Sequence, residues 1–343
     1  MKQHLNTLFV TTQGSYLRKD GLTVDVRVEK QTRLRVPLHN LSSIVCFGRV
    51  SLSPALMGTC AESGIAISFL KTNGRFLARV IGPASGNVLL RRAQYRMSDN
   101  PERCLDVSKS IVIGKIANCR TVLRRAARDT NDSARSESLT RGGDRLTTSL
   151  TAVDKSTEQN QLRGIEGDAA SVYFAAFNSM LTNHAPEFAF TSRSRRPPLD
   201  PINALMSFAY TLLTHDVRSA CDAVGLDSQV GFLHRDRPGR PGMALDLMEE
   251  FRPVLADRMV LSLVNRQQIQ ARDFVQRESG AVLLNDAGRK VFLSSWQHRK
   301  QETITHPFLG EKTTVGLLPH IQAQLMARHL RGDLELYPPF VWR

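Results

Sequence analysis

No run of about eighteen consecutive apolar residues occurs in this chain of 343, so no membrane-spanning helix is written in it. The opening Met1-Lys2-Gln3-His4-Leu5 lacks the charged-then-apolar layout of a signal peptide, and the expectation is a soluble, cytoplasmic protein. Cysteine is scarce and scattered. Cys46, Cys60, Cys104, Cys119 and Cys221 are odd in number and form no Cys-x-x-Cys, which excludes zinc ribbons and thioredoxin-type motifs. The thiols are expected to be small, reduced, buried side chains. Neither a Gly-x4-Gly-Lys-Ser/Thr loop nor a Gly-x-Gly-x-x-Gly turn is present, so nucleotide hydrolysis and dinucleotide chemistry have no support. Internal repeats are absent too. Acidic residues are too few to balance the basic ones: 32 Asp and Glu face 46 Lys and Arg, a net charge of +14. An acidic partner follows, and nucleic acid is the commonest. Anionic membrane is disfavoured, because no basic amphipathic helix with aromatic anchors is seen.

With 41% hydrophobic residues the chain can bury a core, and its length suggests two domains. Residues 1–85 read as a small β-sheet domain. Leu22 to Val28 and Thr32 to Val36 alternate with period two, and Gly14, Gly21, Gly48, Gly64 and Gly74 punctuate the segments. A short helix is predicted from Ser53-Pro54 to Glu62, stopped before Gly64. This quarter of the chain holds 11 Lys and Arg against 4 Asp and Glu, half of the excess charge. Those residues either contact a polyanion or form the solvated face of a half-buried sheet. Gly82-Pro83-Ala84-Ser85-Gly86 is a candidate linker. Residues 86–343 then read as a larger, all-α domain, giving an α+β chain overall. Helices are expected from about residue 88, from Asn100-Pro101 through Leu123, from Gly164, from Asp200-Pro201, and from Asp246 past Pro253. Residues 129–160, polar and containing Gly142-Gly143, read as a loop or weakly specified helix ends.

Three distant stretches carry candidate chemistry. Glu166 follows Arg163-Gly164-Ile165 at an expected helix start, where small neighbours would admit a bulky ligand; a first-turn glutamate favoured by the helix dipole is the plainer account. His234 closes Gly231-Phe232-Leu233-His234, and Arg235, Arg237 and Arg240 crowd the loop after it. It is either a satisfied core or rim histidine or a ligand beside phosphate-gripping arginines. Asp246, Glu249 and Glu250 stand at i, i+3 and i+4 and share one helical face among Leu245, Leu247, Met248 and Phe251. That is either a solvated acidic face or a buried cluster that needs a cation, with Arg252 able to neutralise part of it. Two carboxylates and an imidazole suit Mn²⁺ or Mg²⁺ with open positions for water and phosphate, and manganese should serve at least as well. A hard cation on a basic chain points to phosphodiester chemistry.

At these residues the sequence resembles the CRISPR-associated endonuclease–integrase family, the catalytic subunit of the spacer-acquisition complex. The resemblance covers nearly the whole chain. It is carried by Leu162 to Gly167, Arg196 to Leu205, Gly231 to His234, Asp246 to Pro253 and Leu330 to Leu334, with a flavour of members beside type I interference systems. It implies an N-terminal β domain that dimerises and contacts DNA, a helical catalytic domain and a homodimer. Two such dimers would flank a dimer of the small second CRISPR adaptation protein. The family's metal ligands fall on Glu166, His234 and Glu249, and a further acidic position on Asp246. Many members carry aspartate at position 249, and Pro241 to Ala244 departs from the serine-containing form of that loop.

The implied reaction joins the 3′-hydroxyl of a captured prespacer DNA to a phosphodiester at the border of a CRISPR repeat. Branched DNA is then a further substrate. Arg163, Arg235, Arg237, Arg240 and Arg252 are candidate contacts to double-stranded DNA. Two alternatives stay open: a general branched-DNA repair nuclease, and a non-catalytic DNA-branch-binding protein whose acidic cluster only stabilises helices.

Overall fold

The computed structural model describes residues 6–72, 74–80, 82, 88–182 and 186–342. The chain divides into two compact units, residues 1–85 with Leu293–Glu302 and Val315–Leu317, and the remaining residues from Gly86 onward. A cut at a single point in the sequence would assign those two later pieces to the second unit. The expected linker lies, apart from Gly82, outside the described residues.

The first unit builds two four-stranded sheets. Strands β1 (Asn6–Val10), β2 (Ser15–Asp20), β3 (Thr23–Val28), β4 (Gln31–Pro37), β5 (Leu41–Phe47) and β6 (Val50–Leu52) precede α1 (Pro54–Glu62). β7 (Ala66–Leu70) and β8 (Phe76–Val80) follow it. One sheet runs β4-β3-β2-β6 and the other β1-β5-β7-β8. Leu17, Val24, Val26, Val10, Ile44 and Ile67 share one core with Leu56 and Cys60 of α1. Ser53 caps α1 as expected, its side chain accepting from Leu56 N–H. The five punctuating glycines all take left-handed backbone. The β3–β4 hairpin turns without one: Glu29 and Lys30 themselves adopt φ of 50° and 65°, the geometry that matches strand twist. Several basic residues of this unit are already paired. Arg18 and Arg27 both reach buried Asp25 at 2.9 Å, and Arg35 reaches Asp20 at 3.0 Å.

The second unit is mostly helical. It begins with α2 (Val88–Asp99), α3 (Pro101–Asp129), α4 (Ser133–Lys155) and α5 (Gln159–Ala175). Then come α6 (Pro201–Val224), α7 (Gly242–Glu249), a π-helical turn Arg252–Asp257 and α8 (Arg258–Asn265). Two short hairpins, β9 (Phe274–Gln276) with β10 (Val282–Leu284) and β11 (Thr303–Thr305) with β12 (Lys312–Thr314), flank in sequence α9 (Asp286–Gln301), whose residues from Leu293 onward belong to the first unit. α10 (Leu318–Arg331) closes the helical set. Asn100 and Asp200 cap α3 and α6 through the side-chain bonds their sequence context predicts.

Residues 133–155 correct the expectation of a loop: they form a helix of 23 residues. Leu139, Gly142, Gly143, Leu146 and Val153 are its buried stripe. The glycines are what lets α3 come close, since a Cβ on Gly142 would stand 3.0 Å from Leu123 Cδ1. The apolar tail at 337–342 is tied to the middle of α3. Asn118 donates to Phe340 O at 2.8 Å and accepts from Trp342 N–H at 2.7 Å. All five cysteines are free, four of them buried, as expected.

Candidate active site

The site lies wholly within the second unit and draws on α3, α5, the loop before α7, and α7 itself. Asp246 on α7 organises that loop. Its Oδ2 accepts from Phe232 N–H at 2.6 Å and Leu233 N–H at 3.0 Å. Its Oδ1 accepts from His234 N–H at 3.0 Å and lies 2.6 Å from His234 Nδ1. The loop carbonyls are held from the other side. Arg163 Nε donates to Leu233 O at 2.9 Å, and Cys104 Sγ to Phe232 O at 3.3 Å. Such close docking needs glycine. A Cβ on Gly231 would stand 2.7 Å from Asp246 Oδ2, and one on Gly242 would stand 2.6 Å from Gln229 O. The Gly-Phe-Leu-His spacing is thereby explained: glycine admits the carboxylate, and the carboxylate fixes the histidine.

A carboxylate at Nδ1 sets the imidazole tautomer. With the proton on Nδ1, Nε2 keeps its lone pair, the arrangement found behind metal-binding histidines. Nε2 faces Glu249 Oε1 at 3.7 Å. Glu249 is buried; Arg252 Nη1 holds its Oε1 at 2.7 Å, and Lys115 Nζ lies 2.7 Å from its Oε2. The same ammonium of Lys115 also pairs with Glu166 Oε1. Side chains from α5 and α7 therefore meet around one lysine of α3, and the loop histidine faces the second of them.

Burial is the largest influence on Glu249 and opposes its charge, but Arg252, Lys115 and His234 outweigh it and hold the carboxyl down at about 2. Lys115 has the mirror balance. Burial disfavours its charge, while Glu249 and Glu166 keep its pKa above the usual lysine value. Both groups are ionised at neutral pH.

Two sequence expectations are corrected here. Glu166 is not at a helix start: α5 begins at Gln159, so Glu166 sits in its third turn and owes nothing to the dipole. The acidic trio does not share a face. α7 ends at Glu249, and Glu250 turns away into a separate buried network, accepting from Tyr337 Oη at 2.6 Å, Phe340 N–H at 2.5 Å and Gln322 Nε2 at 3.2 Å. Asp246 spends both oxygens on the loop. Of the three only Glu249 reaches the centre.

Glu250 has its own consequence. Burial lifts its carboxyl from 4.5 to about 8, against the lowering effect of those hydrogen bonds. The folded state thus keeps a proton that the unfolded chain loses above 4.5. Stability from this group is full below that pH and is lost as pH rises through about 8. Asp257, raised to about 6 mainly by burial, acts in the same sense. Glu250→Gln is expected to flatten the fall in melting temperature between pH 5 and 8.5, measured by thermal denaturation. An unchanged pH slope would remove Glu250 from this account.

The candidate DNA-contacting arginines divide. Arg235 and Arg237 are exposed and Arg240 is half-buried. Arg163 and Arg235 share Asn160 Oδ1, at 3.2 and 2.6 Å. Arg252 is different: it is engaged with Glu249 and lies over the Tyr210 ring at 5.0 Å, so it positions Glu249. Lys115 was not flagged in the sequence, although it continues the buried stripe Ser108, Ile111, Cys119 of α3, where a lone lysine demands a counter-charge.

Gly164 and Gly167 flank Glu166 on the exposed side of α5, and an added Cβ at either meets nothing within 4 Å. No packing requires them. Gly164→Ala and Gly167→Ala should each raise stability by about 0.5–1 kcal/mol, read from urea unfolding midpoints. A decrease would show that the fold itself uses the gap.

Among the described residues no three His, Cys, Asp or Glu side chains already stand in a ligand arrangement. The donor set nonetheless suits a hard divalent cation. It offers two carboxylates, one imidazole nitrogen oriented from behind, and a buried Glu249 Oε2 that has no aligned hydrogen-bond donor.

Comparison with known proteins gives concordant results. The profile of the family described as CRISPR associated protein Cas1 matches residues 8–298. CRISPR-associated endonuclease Cas1 1 of Chlorobaculum tepidum is 54% identical over 343 residues, covering all of both chains. Among solved structures, a chain of a Cas6-RT-Cas1–Cas2 complex is similar with a TM-score of 0.82 and 23% identity. The match covers 98% of this chain and 36% of that one. A casposase bound to its integration product is similar with a TM-score of 0.83 and 21% identity, over 98% and 94% of the two chains.

Proposed function

The chain belongs to the CRISPR-associated Cas1 family, and we propose that Glu166, His234 and Glu249 hold the divalent cation with which it joins DNA strands. It is an endonuclease and integrase that inserts short foreign DNA into a CRISPR array, in antiviral defence. The observation that carries the site assignment is the convergence of these side chains, up to 83 positions apart in sequence: Glu166 and Glu249 share the Lys115 ammonium, and His234 Nε2 faces Glu249.

A divalent cation bound there supplies Lewis acidity, lowering the pKa of an attacking hydroxyl and offsetting charge on the phosphorus oxygens. Mg²⁺ and Mn²⁺ both fit the donors, and His234 favours Mn²⁺. The protein does the remainder. Asp246 fixes His234 with Nε2 forward, Arg252 anchors one oxygen of Glu249, and α5 presents Glu166 beside two exposed glycines where a DNA backbone can come close. The 3′-hydroxyl of the captured strand forms a new P–O bond as the old one breaks, and its proton passes to the departing strand's oxygen. One phosphodiester replaces another, so no nucleotide hydrolysis is needed.

Arg163, Arg235, Arg237 and Arg240 line the loop beside this centre and grip phosphates without reading sequence, which makes binding steeply salt dependent. DNA and the small second CRISPR adaptation protein are its partners, two homodimers flanking one dimer of the latter. In the β4-β3-β2-β6 sheet β4 is an edge strand among the described residues, and Leu34 on it and Leu22 before β3 are 47% and 78% exposed. Pairing between copies through that region accounts for both; a monomeric mass in solution would contradict it. No helix among the described residues is long and apolar enough to cross a membrane, and cytoplasmic residence is part of this reading.

Blocking the 3′ end of the donor DNA tests the reaction. Joining to a repeat-bearing supercoiled plasmid should stop in manganese with dideoxy-terminated donor, while hydrolysis of branched DNA continues. Joining that persists with the blocked donor would contradict hydroxyl attack.

A further inference from the structure

Lys115 is the least expected group in the site. Its side chain is 11% exposed, and α3 carries it into the stripe formed by Ser108, Ile111 and Cys119. Its ammonium stands between the two carboxylates assigned to the metal. Arg252 holds Glu249 Oε1, so the oxygen of Glu249 turned toward Lys115 is Oε2, the one lacking an aligned donor. The cation and the metal would therefore compete for the same oxygens.

Charge decides the consequence. Glu166, Glu249, Lys115 and Arg252 sum to zero, and Asp246 behind His234 adds one negative charge. A dication added to that set leaves an excess of one positive charge in a largely buried place, which like-charge repulsion opposes. A phosphodiester carries one negative charge and offsets it. The site opens on the side of Glu166, 25% exposed and flanked by Gly164 and Gly167. A lysine head on its flexible stem has only a short distance to move from the carboxylates to a phosphate oxygen there.

We propose that Lys115 is an internal counter-cation, displaced from Glu166 and Glu249 by the metal and taken up by a DNA phosphate, so that metal and DNA bind cooperatively. The proposal rests on the metal-site reading above. Its functional meaning is a safeguard: without DNA the lysine keeps the carboxylates occupied and the nuclease unloaded. With DNA bound, the ammonium has a new partner and the carboxylates are released to the metal. By reciprocity the metal tightens DNA to the same degree.

The test is Mn²⁺ affinity of the full-length protein, by calorimetry or by the EPR signal of free Mn²⁺, with and without a branched duplex whose 3′ ends lack the hydroxyl. In the wild type the duplex should tighten Mn²⁺ binding by about tenfold or more. Lys115→Met should bind Mn²⁺ without DNA about tenfold or more tightly than the wild type, and show little further gain from DNA. Mn²⁺ should also raise the melting temperature of the variant more than that of the wild type, because its carboxylates have lost their partner. Lys115→Gln replaces it if the methionine variant does not melt cooperatively. Equal or weaker Mn²⁺ binding in the neutral variant, or a wild type whose Mn²⁺ affinity ignores DNA, overturns the proposal. Glu166→Ala separates the two levels. Wild-type Mn²⁺ binding in that variant means the metal site itself is misassigned. Weakened binding there, with wild-type behaviour in Lys115→Met, sinks the counter-cation alone.

Discussion

Glu166→Ala is expected to lower manganese-dependent strand joining by about 10²-fold or more, with DNA affinity measured in EDTA, without metal, within about twofold of the wild type. The separation follows from where the side chain sits. Glu166 is a quarter exposed in the middle of α5, and its only partner there is Lys115. When it is removed, Lys115 keeps Glu249 at 2.7 Å, so the buried ammonium is not orphaned and the helices have no cause to move. The arginines proposed to grip phosphate lie on the loop around His234 and on the preceding turn of α5, and none is hydrogen-bonded to Glu166 among the described residues. The substitution thus removes the proposed metal ligand and little else. Joining is read on a repeat-bearing plasmid, and DNA affinity by fluorescence anisotropy at fixed salt. Persistent joining would return the acidic residues to a purely structural role and favour a non-catalytic DNA-binding protein.

The second large effect comes from a residue that touches no substrate. In Asp246→Asn the amide oxygen can still accept from Phe232 and Leu233 N–H, leaving the amide nitrogen against His234, whose backbone N–H alone loses its acceptor. It then donates to Nδ1 and drives the imidazole proton to Nε2, the atom that must offer a lone pair. Activity should fall by about 10²–10⁴-fold while cooperative melting survives, as when a carboxylate behind a catalytic histidine is replaced elsewhere. Asp246→Ala should behave otherwise. It leaves the buried N–H groups of Phe232, Leu233 and His234 unpaired, at about 1–3 kcal/mol each, and should destabilise the whole loop. Full joining by Asp246→Asn would show that His234 is not held for metal binding. A wild-type melting curve for Asp246→Ala would show that the loop does not depend on this carboxylate.

The chemistry was legible in the sequence because ligands must be particular residue types. Glu166, His234 and the Asp246, Glu249 and Glu250 cluster are carboxylates and an imidazole on a basic chain, and the family resemblance alone selects Glu249 from that cluster; the capping residues Ser53, Asn100 and Asp200 announce their helices through local hydrogen bonds. What escaped is whatever depends on a neighbour distant in sequence. α4 looked like a loop because Gly142 and Gly143 weaken a helix in isolation; their use, admitting Leu123 of α3, exists only in the packed pair. Glu250 seemed to belong with Glu249, because ideal helical spacing continues past the point where α7 ends. Its true partners, Gln322, Tyr337 and Phe340, lie 72 to 90 positions away. Lys115 was hidden for the opposite reason. One lysine in a long helix draws no notice until two carboxylates from other helices converge on it.

Crystals grown with Mn²⁺ and a 3′-blocked branched DNA, examined by anomalous diffraction at the manganese edge, address the site directly. One manganese peak should appear in the second unit within about 2–2.5 Å of a carboxylate oxygen of Glu166, a carboxylate oxygen of Glu249 and Nε2 of His234. The Lys115 ammonium should have left its place between the two glutamates. A manganese peak bound elsewhere, with Lys115 still bridging Glu166 and Glu249, would contradict the assignment of these three residues as the metal-binding heart of the enzyme.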